Sequence, residues 1–181
     1  MSGIANLHFG LINIGVVADS ESSTIQLGLD AQVEKLFGAQ VALKGNIEKG
    51  GLFQLAPYAT ANEFFGLQIG AYAMSEDSSG LKLSLVDRTE GFARYFKMAL
   101  VHYDQDMTGL RIGLINLSDT PELKVYGPDY GSFVGLDIGI LGISQSKSKF
   151  ISISGLYGKI EEMYGLAIHG LYSNIEKAEG L

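Results

Sequence analysis

The chain has 181 residues, of which 24 are glycine, 3 proline and none cysteine; 46% are hydrophobic, 18% charged, and the formal net charge is −7. The lack of cysteine excludes disulfides, thiolate metal ligands and cysteine nucleophiles. With only 13 Lys and Arg, scattered along an acidic chain, a nucleic-acid backbone has no basic patch to meet, so no nucleic acid is expected as partner.

At the N-terminus, Met1 to Asn6 has no basic region ahead of an apolar stretch, so no signal peptide is read there. Further on, a short phrase recurs every 14 to 15 residues or so, the mark of a repeat architecture. Its clearest copies are Gly66-Leu67-Gln68-Ile69-Gly70, Gly109-Leu110-Arg111-Ile112-Gly113-Leu114 and Gly135-Leu136-Asp137-Ile138-Gly139-Ile140. Units begin near Asn6, Thr24, Gly38, Gly51, Gly66, Gly80, Tyr95, Gly109, Gly135, Phe150 and Gly165, about eleven in all, within a single all-β repeat domain spanning 1–181.

Each unit opens with alternating apolar residues, and a period of two predicts a strand. Leu67, Ile69, Leu81, Leu83, Leu110, Ile112, Leu136, Ile138, Leu166 and Ile168 are the expected stacked core. The position between them is permissive, holding Gln26, Gln40, Gln68, Lys82, Lys97, Arg111, Asp137 and Ser152, and is expected to face water. On that facing, Leu110→Asp or Ile112→Asp costs several kcal/mol while Arg111→Asp is nearly silent. A small column follows (Gly28, Ala42, Gly70, Ser84, Ala99, Gly113, Gly139), and then an apolar pair such as Leu85-Val86 or Leu100-Val101 breaks the alternation. Polar, turn-like residues close every unit.

Two architectures fit this pattern. The preferred one is a β-solenoid, with one coil per unit; the alternative is an up-and-down antiparallel β-barrel or meander, with one strand and hairpin turn per unit. The unit from Gly109 carries an inserted loop near 119–133 with two of the three prolines. Long excursions from a rigid scaffold often carry recognition, which makes Tyr126, Asp129, Tyr130 and Phe133 the binding candidates.

No reactive constellation accompanies the scaffold. His8, His102 and His169 occupy different positions in their units, and the acidic clusters lack calcium-loop spacing, so no metal site is expected. Neither a Gly-x-Ser-x-Gly elbow nor a phosphate-binding glycine loop occurs, and no cofactor or catalytic residue is assigned. One register inference stands apart: Asp87 and His102, each following an apolar pair, fall on neighbouring rungs about 4.8 Å apart if the units stack.

The phrase Gly109-Leu110-Arg111-Ile112-Gly113-Leu114-Ile115-Asn116, with Gly66 to Gly70, resembles the Gly-Leu-Gln-Ile-Gly-Leu units of bacterial surface-repeat proteins. That resemblance implies association with the cell envelope or surface, and no enzymatic role. The expected function is therefore a non-catalytic scaffold presenting rows of outward side chains to a protein or surface ligand, with self-association at strand edges. The alternatives are an outer-membrane β-barrel, either pore or anchor and the only reading that places the chain in a membrane, and an enzyme with a site at the inserted loop.

Overall fold

The computed structural model describes residues 6–9, 12–118 and 132–179. These are strand almost throughout, with no helix, and the chain is a parallel β-solenoid of about 10 turns. Seven stretches of strand follow in order: β1 (Asn6–Phe9), β2 (Ile12–Gly50), β3 (Phe53–Leu55), β4 (Tyr58–Leu117), β5 (Ser132–Ser154), β6 (Tyr157–His169) and β7 (Tyr172–Glu179). The longest, β2 and β4, pass through several coils without a break.

Pairing from β2 onward is parallel, which excludes the up-and-down antiparallel alternative for the described residues. The register follows the repeat: Val41 pairs with Leu55 and Leu55 with Ile69, while Leu110 pairs with Leu136 and Ile151 with Leu166. The first copy of the phrase departs from the coil pattern. Asn6–Phe9 folds back antiparallel on Ile12 to Gly15, a hairpin where the repeat reading places a coil.

The recurrent glycine marks a corner. Gly109 has φ +134°, and a Cβ there would lie 2.0 Å from the carbonyl oxygen of Tyr95 one rung below. Only glycine combines that dihedral with such close backbone approach. Tyr95 and Phe150 occupy the same corner with φ of +84° and +89°, a conformation that L side chains adopt at a cost.

Packing divides the chain into two units, Met1–Leu85 and Val86–Leu181. In the first, Val33, Leu36, Ile47, Ala61 and Phe64 form one apolar cluster and Ala18, Ala31 and Ala42 another. In the second, Ala93, Met107 and Phe133 cluster. Full burial of a Leu-, Ile- or Phe-sized side chain contributes about 1.5 to 3 kcal/mol, so these few residues carry much of the apolar stabilisation.

The facing expected for the strand phrase is reversed. Leu67, Ile69, Leu81, Leu83, Leu110, Ile112, Leu136 and Ile138 point outward and are half-buried, and Leu166 and Ile168 are exposed. The residues between them point inward: Gln26, Gln40, Gln54, Gln68, Lys82, Lys97, Arg111, Asp137 and Ser152 are all buried. The true apolar core lies along the other part of each coil, where Val33 and Leu36 turn inward and Glu34 and Lys35 outward. A parallel strand pair fixes which residues align but not which face is inside. Here the interior selects the set that can be hydrogen-bonded across the coil, and the small column beside it leaves the room.

Candidate functional site

The inward column differs between the two units. In the first it is a glutamine ladder: Gln40 donates from Nε2 to Gln26 Oε1 at 2.7 Å, Gln54 to Gln40 at 2.8 Å and Gln68 to Gln54 at 2.6 Å. Three of these amides also donate to backbone carbonyls inside the coil, Gln26 to Ala18 and Gln32, Gln40 to Ala31 and Asn46, and Gln54 to Gly45 and Thr60. Such a head-to-tail chain polarises its members and satisfies groups that would be costly to bury alone. Gly45 makes it possible, since a Cβ there would lie 2.4 Å from Gln40 Oε1.

The second unit replaces amides with ions. Lys97 Nζ sits 2.7 Å from Asp87 Oδ2 and 2.5 Å from Asp104 Oδ1, and also donates to the Thr89 hydroxyl. Arg111 holds Asp137 in a two-pronged pair, Nε to Oδ1 at 3.1 Å and Nη2 to Oδ2 at 2.6 Å. Its Nη1 donates to Asp104 Oδ2 at 3.2 Å and to Ser118 Oγ at 2.8 Å, and its guanidinium lies over the Phe133 ring at 5.0 Å. Asn116 donates to Asp137 Oδ1 at 2.6 Å. The result is one continuous network, Asp87–Lys97–Asp104–Arg111–Asp137, whose side chains are closed to solvent.

The coil geometry explains the partnership. Lys97 and Asp104 are seven residues apart, as are Lys82 and Ser75, and Arg111 and Ser118, so each long side chain spans the interior from one wall to the other. After the small column, the outward pair Leu100-Val101 shifts the alternation by one, and His102 turns back inside, as does Asp87 after Leu85-Val86.

The register inference for Asp87 and His102 is met: His102 Nδ1 lies 3.4 Å from Asp87 Oδ2, and its Nε2 lies 3.1 Å from the Ile112 carbonyl. Both ring nitrogens therefore face oxygen atoms, one of the Asp87 carboxylate and one of the Ile112 carbonyl.

Burial alone pulls the Lys97 ammonium toward neutrality, but the Asp104 and Asp87 carboxylates outweigh it and hold its pKa above the ordinary value. For Asp104, burial pushes upward and Asp87 adds to it, yet Lys97, with Arg111 and His102 helping, brings the carboxyl below its usual range. Arg111 is likewise held above its ordinary value against desolvation, mainly by Asp137. Asp87, His102 and Asp104 are also the only group of three among the described residues with ligand atoms close enough for a metal, within 4.8 Å of one another. The Lys97 ammonium already occupies the cation position between the two carboxylates.

Of the loop candidates, Phe133 is corrected. It is fully buried beneath Arg111 and packs with Ala93 and Met107, so it serves the core and not a ligand. Tyr126, Asp129 and Tyr130 lie outside the described residues.

The outward side of the phrase is the surface that remains. In the first unit its columns read Ile25, Ala39, Phe53, Leu67, Leu81; Leu27, Val41, Leu55, Ile69, Leu83; and Leu29, Leu43, Pro57, Ala71, Leu85. In the second they read Phe96, Leu110, Leu136, Ile151, Leu166; Met98, Ile112, Ile138, Ile153, Ile168; and Leu100, Leu114, Ile140, Gly155, Gly170. No position in these columns is charged, and none is buried. Leu29, Leu43, Leu85, Leu100 and Ile140 are each more than half exposed. Comparison with protein-family models, curated proteins and solved structures found no match.

Proposed function

We propose that the chain is a non-catalytic interaction scaffold whose working surface is the uncharged apolar face of the strand phrase. One observation carries this reading: three columns in each unit present Leu, Ile, Val, Met and Phe to solvent over five rungs, without a charge among them. Exposed apolar residues scattered singly need no explanation, whereas a contiguous field of them marks a surface that is covered in use.

The interior supplies the rigidity. Hydrogen-bonded amides from Gln26 to Gln68 and ion pairs from Asp87 to Asp137 tie rungs together inside the coils, and the paired strands hold the outer rows at a spacing of about 4.8 Å. The ionic network is sealed from solvent, and its charged groups are spent on one another. It therefore reads as a structural device and not as a reaction centre.

The test separates face from core. Leu55→Lys/Leu83→Lys keeps the far-UV circular dichroism and thermal transition of the parent, while retention on a phenyl-substituted matrix falls markedly. Unfolding of the variant overturns the outward facing, and unchanged retention overturns the role of this face.

A further inference from the structure

We propose that the two units answer acid differently, whatever covers their outer faces: protonation of the carboxylates inside the second unit opens its coils, while the amide-lined coils of the first stay closed.

The buried groups divide by chemistry. Among the described residues, every buried carboxylate lies in Val86–Leu181, namely Asp87, Asp104 and Asp137. The described Asp and Glu residues of Met1–Leu85 all reach solvent. The inward column there runs through Gln26, Gln40, Gln54 and Gln68, and a hydrogen-bonded amide takes up no proton in mild acid. Lys82, also buried in the first unit, donates to the Ser75 hydroxyl at 2.9 Å, and an ammonium gains nothing further as pH falls.

Inside the second unit each carboxylate is the counter-ion of a cation. Asp87 faces Lys97 at 2.7 Å and His102 at 3.4 Å. Asp104 faces Lys97 at 2.5 Å and Arg111 at 3.2 Å, with Asp87 and His102 near enough to act on it. Asp137 faces Arg111 at 2.6 Å and accepts from Asn116. Protonating these carboxyls leaves Lys97 and Arg111 charged and closed to water, the situation that makes loss of one partner of a buried pair so destabilising. Exposed pairs such as Lys49 with Glu63 contribute little, so acid has little to remove from the first unit.

The pH of the opening follows from Asp104. Burial pushes its carboxyl upward and Asp87 adds to this, but Lys97, with Arg111 and His102 helping, brings it below its ordinary 3.8. A carboxyl held low in the folded state lends stability that is complete above 3.8 and lost as pH falls through the folded value, which sets the opening below about pH 4. A stack lets it stay local. Each coil leans on its neighbours alone, so stability adds rung by rung and one stretch opens while another holds.

The experiment is hydrogen exchange of the full chain from about pH 7 to 2.5, read by mass spectrometry of its peptic peptides, with each rate compared with that of an unstructured chain at the same pH. Between about pH 6 and pH 3, protection of peptides within 93–112 is expected to fall at least about tenfold, and that of peptides within 26–69 to hold within about threefold. The second unit also holds more of the Lys and Arg residues, whose mutual repulsion grows as carboxylates are neutralised. The series is therefore repeated in about 0.5 M sodium chloride, where exposed charges are screened beyond about 4 Å and a sealed network is not; the selective loss is expected to persist.

Protection lost together in both stretches, or first in 26–69, overturns the division between the units, and so does protection kept in both throughout the series. A selective loss that salt abolishes assigns the response to repulsion at the surface and overturns the buried carboxylates as its cause.

Discussion

Lys97 and Met98 are neighbours in sequence with opposite environments, 1% and 44% exposed, which makes them a direct probe of facing. Lys97→Met removes the ammonium that neutralises Asp87 and Asp104 while adding no polar partner, so two carboxylates stay buried without it. Breaking a buried pair by removing one partner costs about 3 to 5 kcal/mol. In a chain of this length each kcal/mol moves the thermal midpoint by about 2 to 4 °C, so the variant melts roughly 6 to 20 °C lower. Met98→Lys adds a charge to a side chain already nearly half in water, and its effect stays within about 0.5 kcal/mol. Thermal and urea unfolding followed by circular dichroism reads both. A silent Lys97→Met beside a strongly destabilising Met98→Lys would refute the reasoning.

Three further outcomes follow from the same geometry. The Asp104 carboxyl lies below its ordinary 3.8 when folded, so its contribution is complete above that value and is lost as pH falls through the folded value. The stability gap between the parent and Asp104→Asn, measured by urea unfolding, therefore narrows below about pH 4. Lys97 has its folded pKa raised above 10.5, so its contribution holds below 10.5 and is lost as pH rises through the folded value; urea midpoints that improve in strong alkali would contradict this. At the corners, Gly109→Ala forces a Cβ against the Tyr95 carbonyl at a positive φ and costs about 1 to 3 kcal/mol or more, whereas Tyr95→Gly relieves its own positive φ and is neutral or stabilising by up to about 1 kcal/mol. Equal losses in the two variants would show that the corner imposes no such constraint.

The period, the all-β class and the rung register were legible because they depend only on spacing. The interval of 14 between Gln26, Gln40, Gln54 and Gln68 is the rung interval itself, and Asp87 met His102 on the same logic. Facing was not legible, because alternation between Leu and Gln states that a strand has two faces and the usual rule assigns the apolar one inside. Glutamine in four successive rungs was the overlooked signal: an unconstrained outward position has no reason to repeat one amide, whereas a hydrogen-bonded ladder has. Likewise Lys97 and Asp104, half a coil apart, resemble surface charges until the coil places them on facing walls. Phe133 was read with the inserted loop because it follows it directly, yet it pairs with Met107 and resumes the stack.

The central claim is that the polar column is inside and the apolar columns are outside, and thiol accessibility tests it most directly. With no native cysteine, Ser152→Cys and Ile151→Cys each carry a single thiol, at a fully buried position and at one 37% exposed. Under native conditions, maleimide should modify the Ile151→Cys thiol quickly and the Ser152→Cys thiol only on unfolding. A fast Ser152→Cys thiol beside a protected Ile151→Cys thiol would contradict the account.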